Sequence, residues 1–221
     1  MPLNIPSSDH VIQDLTPTLK LIHEALQFAT EKAKSYFYVE NPDEKIDPYT
    51  GAMLTRYWAK FFINKCGYSA EFDSDLELKN SPNVGLILRS ENYHIRILKS
   101  CNGNVPVAGH SRKRQKFYEQ AHFEFEVIPE NRDLPLNLLV IWVADSDLNI
   151  NELSLACPRE GGALKDSVKC HWHQPFPDSL TNLESQFKYI LEEDVPEDLP
   201  IAPNLNQRKI KNDNWGKNKT S

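Results

Sequence analysis

Three groups of residues in this chain have types and spacings that suit chemistry. The first is Asp73-Ser-Asp75-Leu-Glu77-Leu-Lys79. On a strand, residues 73, 75, 77 and 79 point to one face, which sets three carboxylates beside an ammonium. Two or more carboxylates can hold a hard divalent cation such as Mg²⁺, and a lysine can position water or stabilise developing charge. The same residues also suit an edge strand whose charged, wet face blocks edge-to-edge pairing.

The second group is His110-Ser111-Arg112-Lys113-Arg114-Gln115-Lys116-Phe117-Tyr118. Four bases, Arg112, Lys113, Arg114 and Lys116, fall within five positions. If Ser111 caps a short helix running to Gln120, these bases gather at its start, where free N–H groups also favour anions. Arg112 and Lys116 then share one side, Lys113 points elsewhere and Phe117 faces the core. Arg89, Arg96 and Lys99 on the preceding strands extend the patch. The competing reading is a solvated face that pairs with an acid-rich body.

The third group is Lys169-Cys170-His171-Trp172-His173. Strand alternation sends Val168, Cys170 and Trp172 inward and His171 and His173 outward. Two histidines on one face could seat zinc, with Cys157 as the nearest additional ligand, but no second C-x-x-C or H-x-x-H completes a set of four. There is no G-x-S-x-G, G-x-G-x-x-G or Walker A motif, which leaves little support for a nucleophile elbow or a nucleotide cofactor. We expect no cofactor, or Mg²⁺ if the carboxylate group is a metal site.

Charge narrows the partners. The chain has 25 Lys and Arg against 31 Asp and Glu, a net charge of −6. Five of those bases and one of the acids lie in 201–221, so residues 1–200 carry 20 bases against 30 acids, or −10. A body this acidic repels nucleic acid on average, so contact requires a local basic patch.

The elements that must position these residues are legible in the periodicity. Thr16-Pro17 reads as a cap and first turn, followed by Leu19, Ile22, Leu26, Ala29 and Tyr36 at helical spacing, so a helix is predicted over about 17–37. Asp47-Pro48 starts a second helix, apolar over a wide face and ending near Gly67. The period then changes from about 3.6 to 2. Strands are predicted near 70–79, 84–90, 94–99, 123–128, 137–144, 152–157 and 167–173, with Val84–Ser90 and His94–Lys99 forming a hairpin. Asn137-Leu-Leu-Val-Ile-Trp-Val-Ala does not alternate, which predicts a central strand covered on both faces. Asp178-Ser179 begins a short last helix. Prolines, asparagines and lysines without apolar period fill 195–221, a composition that suits a mobile tail.

The fold class expected is α+β: two N-terminal helices packed on a largely antiparallel or mixed sheet of about six or seven strands, with a short C-terminal helix. One domain spans 16–191 and a flexible tail spans 192–221. A helix, three strands, a helix and a strand in that order, together with Glu77-Leu-Lys79, resembles the core of the PD-(D/E)xK, or restriction-endonuclease-like, fold. That resemblance implies a divalent-metal nuclease using Glu77 and Lys79 with Asp73 and Asp75. In that family the E-x-K lies on the third core strand and an aspartate on the second; here the E-x-K falls on the first strand, and the next two contain no aspartate.

No apolar run approaches the roughly 18 residues of a membrane-spanning helix, and the N-terminal residues lack the basic and apolar order of a secretory signal. Four widely spaced cysteines suit a reducing compartment. We therefore expect a cytoplasmic binding or regulatory protein that uses Arg112, Lys113, Arg114 and Lys116 to contact nucleic acid or an acidic protein. The metal-dependent nuclease is the alternative, and homo-oligomerisation is left open.

Overall fold

A computed structural model describes residues 5–40, 43–66, 77–79, 85–120, 134–161 and 168–181. The helices are α1 (Ser8–Asp14), α2 (Thr16–Glu40), α3 (Pro48–Cys66), α4 (Arg112–Tyr118) and α5 (Asp178–Thr181). The strands are β1 (Glu77–Lys79), β2 (Leu86–Arg89), β3 (Tyr93–Ser100), β4 (Leu136–Ala144), β5 (Ile150–Glu160) and β6 (Lys169–Pro175). The α+β class and the mixed sheet agree with the sequence. The predicted strand at 123–128, the part of the predicted strand 70–79 that carries Asp73 and Asp75, and the tail lie outside the described residues.

The sheet runs in chain order, β1-β2-β3-β4-β5-β6. Five strands have four residues or more, and β1 is a three-residue edge. Every neighbouring pair is antiparallel except β3 and β4, which are parallel. A parallel step needs a crossover, and α4 lies within it. Residues 136–142 of β4 are buried without interruption. This is the continuous apolar strand that the sequence placed at the centre.

Alternation and register sort the side chains into two layers. One face carries Leu88, Ile95, Leu138, Val140, Trp142 and Leu155, all buried. It meets the long helices. These pack on each other through Phe28, whose ring lies 6.4 Å from Trp58 and 5.3 Å from Phe62. The helix α3 begins as its sequence predicts: the Asp47 carboxylate accepts from the Thr50 N–H at 2.8 Å and from the Thr50 hydroxyl at 3.1 Å. At Gly51 an added Cβ would stand 2.9 Å from Leu148 Cδ2, so a larger residue there would push the Leu148 side chain aside where α3 approaches the β4–β5 turn.

The start of α2 differs from its expected form. Thr16 does not cap with its hydroxyl, which instead donates to the Ile12 carbonyl of the preceding helix at 2.9 Å. That helix, α1, was not anticipated. It has seven residues and one buried side chain, Val11, too short a stretch to display a period.

The opposite face carries α4. Phe117 and Tyr118 pack with Ala108, Leu139, Ile141 and Ala156. The extended helix arrangement therefore covers both sides of the sheet, rather than one side as two N-terminal helices alone would. Among the described residues, no helix is long and apolar enough to cross a membrane.

Candidate anion-binding site

The helix α4 is short and pinned at both ends. At its start the Ser111 hydroxyl accepts from the Arg114 N–H at 3.4 Å, the cap expected from the sequence, and Gln115 Nε2 donates to the Gly109 carbonyl at 2.7 Å. With seven residues and a side chain already on its first turn, α4 is not itself an anion site by virtue of its N-terminus. At its end Gln120, buried and in the left-handed region at φ 57°, locks onto the sheet. Its Nε2 donates to the carbonyls of Asn137 at 2.9 Å and Pro158 at 2.8 Å, while its Oε1 accepts from the Asn137 N–H at 2.8 Å. Asn137 in turn donates from Nδ2 to the Phe117 carbonyl at 3.1 Å. A buried network satisfied in this way rigidifies what it joins.

The bases on this helix divide. Arg112 and Lys113 are exposed, while Arg114 and Lys116 are partly buried. Arg114, partly buried, stands three residues before Phe117 and so on the same side of the helix, where its charge acts on Arg96 of β3. The Arg96 guanidinium lies over the Phe117 ring with its carbon 5.2 Å from the centroid. Burial pushes Arg96 below the ordinary arginine range, and the positive charges of Arg114 and Arg89 push it the same way, partly offset by Tyr118. Arginine remains a cation under all these influences. Arg96 Nη1 is buried and has no hydrogen-bond partner. Among the described residues, neither Arg96 nor Arg114 has an acidic partner; the described ion pairs join His10 to Asp14, and Arg159 and Lys169 to Glu160.

Arg89 belongs to this group by register. It pairs with His94, and Ile87, two residues earlier, pairs with Arg96, so Arg89, His94 and Arg96 share the face covered by α4. Lys99 does not belong to it. Three residues beyond Arg96 on a strand, it points to the other face, where its Nζ lies 5.3 Å from the centre of the Trp142 ring and near Arg56 and Asp47 of the α3 region.

Tyr118 completes the floor of the site. Burial raises its hydroxyl to about 12, and the hydroxyl donates to the Pro106 carbonyl, so it serves as a neutral strut.

No family model, curated protein or solved structure matches this chain. Strand β1 pairs Glu77 with Arg89 and Lys79 with Ile87, which puts the E-x-K beside the arginine hairpin and, among the described residues, at the sheet's edge. Asp73 and Asp75 lie outside the described residues. Asp47 is committed to capping α3, and its hydrogen bonds to Thr50 hold its carboxyl below the usual range.

Two side chains of β6 have hydrogen-bond partners of their own. His173 Nε2 is hydrogen-bonded to the Ser154 hydroxyl at 2.8 Å, and Trp172 Nε1 donates to the Pro6 carbonyl at 3.1 Å. Burial raises Cys157 to about 12 and Cys170 to about 11. Among the described residues, no three His, Cys, Asp or Glu side chains stand together where a metal ion could be held.

Proposed function

We propose that this protein binds nucleic acid, gripping backbone phosphate with Arg96 and Arg114 beside Arg89. The observation that carries this reading is Arg96: a partly exposed cation stacked on Phe117, with the positive charges of Arg114 and Arg89 acting on it. Phosphate suits such a group, because a guanidinium fork matches its oxygens two at a time. Arg112 and Lys113, exposed on the same helix, supply attraction at longer range from within a body of net charge −10 over residues 1–200.

The test is fluorescence anisotropy of a labelled 20-nucleotide single strand at rising salt. Neutralising two or three phosphates gives log K against log salt a slope of about −1.4 to −2.1. Reversing Arg96 and Arg114 to Glu abolishes binding, whereas reversing Arg112 and Lys113 weakens it. Equal binding by the Arg96/Arg114 variant, or no binding at low salt, overturns the reading. Preference for polyglutamate over the oligonucleotide assigns the site to an acidic protein instead.

A metal-dependent nuclease is the second reading, supported by one observation: α3, β1, β2, β3, α4 and β4 follow in the order helix, three strands, helix, strand. The strands that would carry the remaining carboxylates argue against it. β2 and β3 contain Arg89, His94, Arg96 and Lys99 and no acid. A set of that charge recruits anions and repels Mg²⁺.

A further inference from the structure

The binding reading leaves open which part of an anionic ligand the arginines meet, and their arrangement bears on that choice. A protein that tracks a phosphodiester chain spreads its cations along a groove, one after another. Here the cations come from different elements to one place. Arg96 arrives from β3, Arg114 from α4 and Arg89 from β2, around the edge of Phe117 and Tyr118. The surround is fixed beforehand by the Ser111 cap, the Gln115 bond to Gly109 and the Gln120 clamp. A compact and rigid cation cluster favours a compact anion, since little ordering remains to be done on binding.

Charge points the same way. Among the described residues, Arg96 and Arg114 have no acidic partner, so within that part of the chain nothing offsets their two positive charges. An internal phosphodiester carries one negative charge. A phosphate monoester carries close to two at neutral pH, with a second pKa near 6, and offers three oxygens to forked donors.

We infer that the group bound at Arg96 and Arg114 is a terminal phosphate monoester, as at the 5′ end of a nucleic acid or on a small phosphorylated molecule. The inference rests on the nucleic-acid reading for its favoured source, and it names the end of the strand rather than its length as what is recognised.

The experiment uses the full chain and two 12-nucleotide strands labelled at the 3′ end, one with a 5′ phosphate and one with a 5′ hydroxyl, with inorganic phosphate as competitor. The 5′-phosphorylated strand binds at least tenfold more tightly at pH 7.5. That advantage shrinks between pH 7 and pH 5 as the monoester gains a proton. Among the described residues, His94 and Arg89 on the neighbouring strand positions, and Arg114 and Tyr118 on α4, are the titratable or charged groups on the side of Arg96. A change of charge on the protein acts on both strands alike, so the ratio between them isolates the ligand. Arg114→Gln, at a partly exposed position that the fold tolerates, reduces the advantage to under twofold; Arg96→Lys keeps the charge, loses the fork and reduces it as well.

Equal affinity of the two strands for the parent protein overturns the inference and leaves the nucleic-acid reading standing. Failure of both strands to bind, with no competition or heat from inorganic phosphate, overturns both. If inorganic phosphate binds and is lost with Arg114→Gln while neither strand binds, the monoester chemistry is upheld and nucleic acid is overturned as its source.

Discussion

Gln120 and Asn137 hold each other across the α4–β4 junction: the Gln120 amide donates to the Asn137 carbonyl at 2.9 Å, and the Asn137 N–H donates back to the Gln120 carbonyl oxygen at 2.8 Å. Seventeen residues separate them. This exchange ends α4 on the sheet and thereby fixes where Arg114 stands relative to Arg96.

The first prediction follows from that exchange. Gln120→Ala strands a buried N–H and two carbonyls, and each unmet buried group costs about 1–3 kcal/mol, so a loss of about 2–4 kcal/mol is expected after partial relaxation. Gln120→Gly loses the same bonds but adopts φ 57° freely, so it is destabilised less than the alanine variant. Urea denaturation of the two variants checks both the size and the order.

Much of the frame was legible and the clamp was not. Asp47-Pro48 starts α3 because an aspartate cap followed by proline is a local signal, and β4 declared itself by continuous burial-grade residues. The Gln120–Asn137 pair has no local signature, since two polar residues distant in sequence meet only once the crossover is closed. Arg89, Arg96 and Lys99 were all legible as extensions of the basic segment, but the period of 2 already divides them. Positions 89 and 96 meet through the hairpin register, whereas 96 and 99 differ by an odd number and face opposite ways. The seven residues of α1 carry too little pattern to be read, although Val11 is fully buried.

The second prediction concerns pH. His23 on α2 is 3% exposed, and burial lowers its pKa. The unfolded chain therefore takes up a proton near pH 6.5 that the folded protein refuses, so stability falls as pH drops through that value, by no more than about 1.4 kcal/mol per pH unit for one proton. Glu24 acts in a lower window with the opposite slope: burial raises its carboxyl, so the unfolded chain releases the proton first and stability falls as pH rises through about 4.5. Thermal melts of His23→Gln should flatten between pH 7.5 and 5.5, and those of Glu24→Gln between pH 4 and 6. His171 is also lowered by burial and by Arg159, and His171→Gln serves as the control for its share of the upper window.

The third prediction concerns the thiols. Cys101 is exposed, Cys66 and Cys157 are buried, and burial raises Cys157 to about 12 and Cys170 to about 11. Since the thiolate is the reactive form, one thiol should react rapidly with an aromatic disulfide reagent at pH 8 in the native protein, and all four after unfolding in guanidinium. Cys101→Ser removes the fast phase. Rapid reaction of Cys157 in the native state would mean that the strand β5 opens far more readily than its packing implies.

The last prediction separates a binding protein from a nuclease. If Glu77 and Lys79 serve a metal site, Mg²⁺ or Mn²⁺ binds saturably, and Glu77→Gln abolishes binding and cleavage by deleting one hard anionic ligand while keeping its shape. The register argues for the other outcome, because the strand pair next to β1 places Arg89 opposite Glu77 and Arg96 one strand further in, and supplies no second carboxylate. Among the described residues, Glu77 thus faces positive charge and no second carboxylate, an unfavourable setting for a divalent cation. Calorimetry at millimolar Mg²⁺ and Mn²⁺ should therefore give no saturable heat, and Glu77→Gln should match the parent in stability to within about 0.5 kcal/mol, as edge substitutions usually do. Saturable binding that disappears in Glu77→Gln, together with cleavage of a DNA or RNA strand, would make Asp73 and Asp75 the missing ligands and the arginines a grip on the substrate of an enzyme.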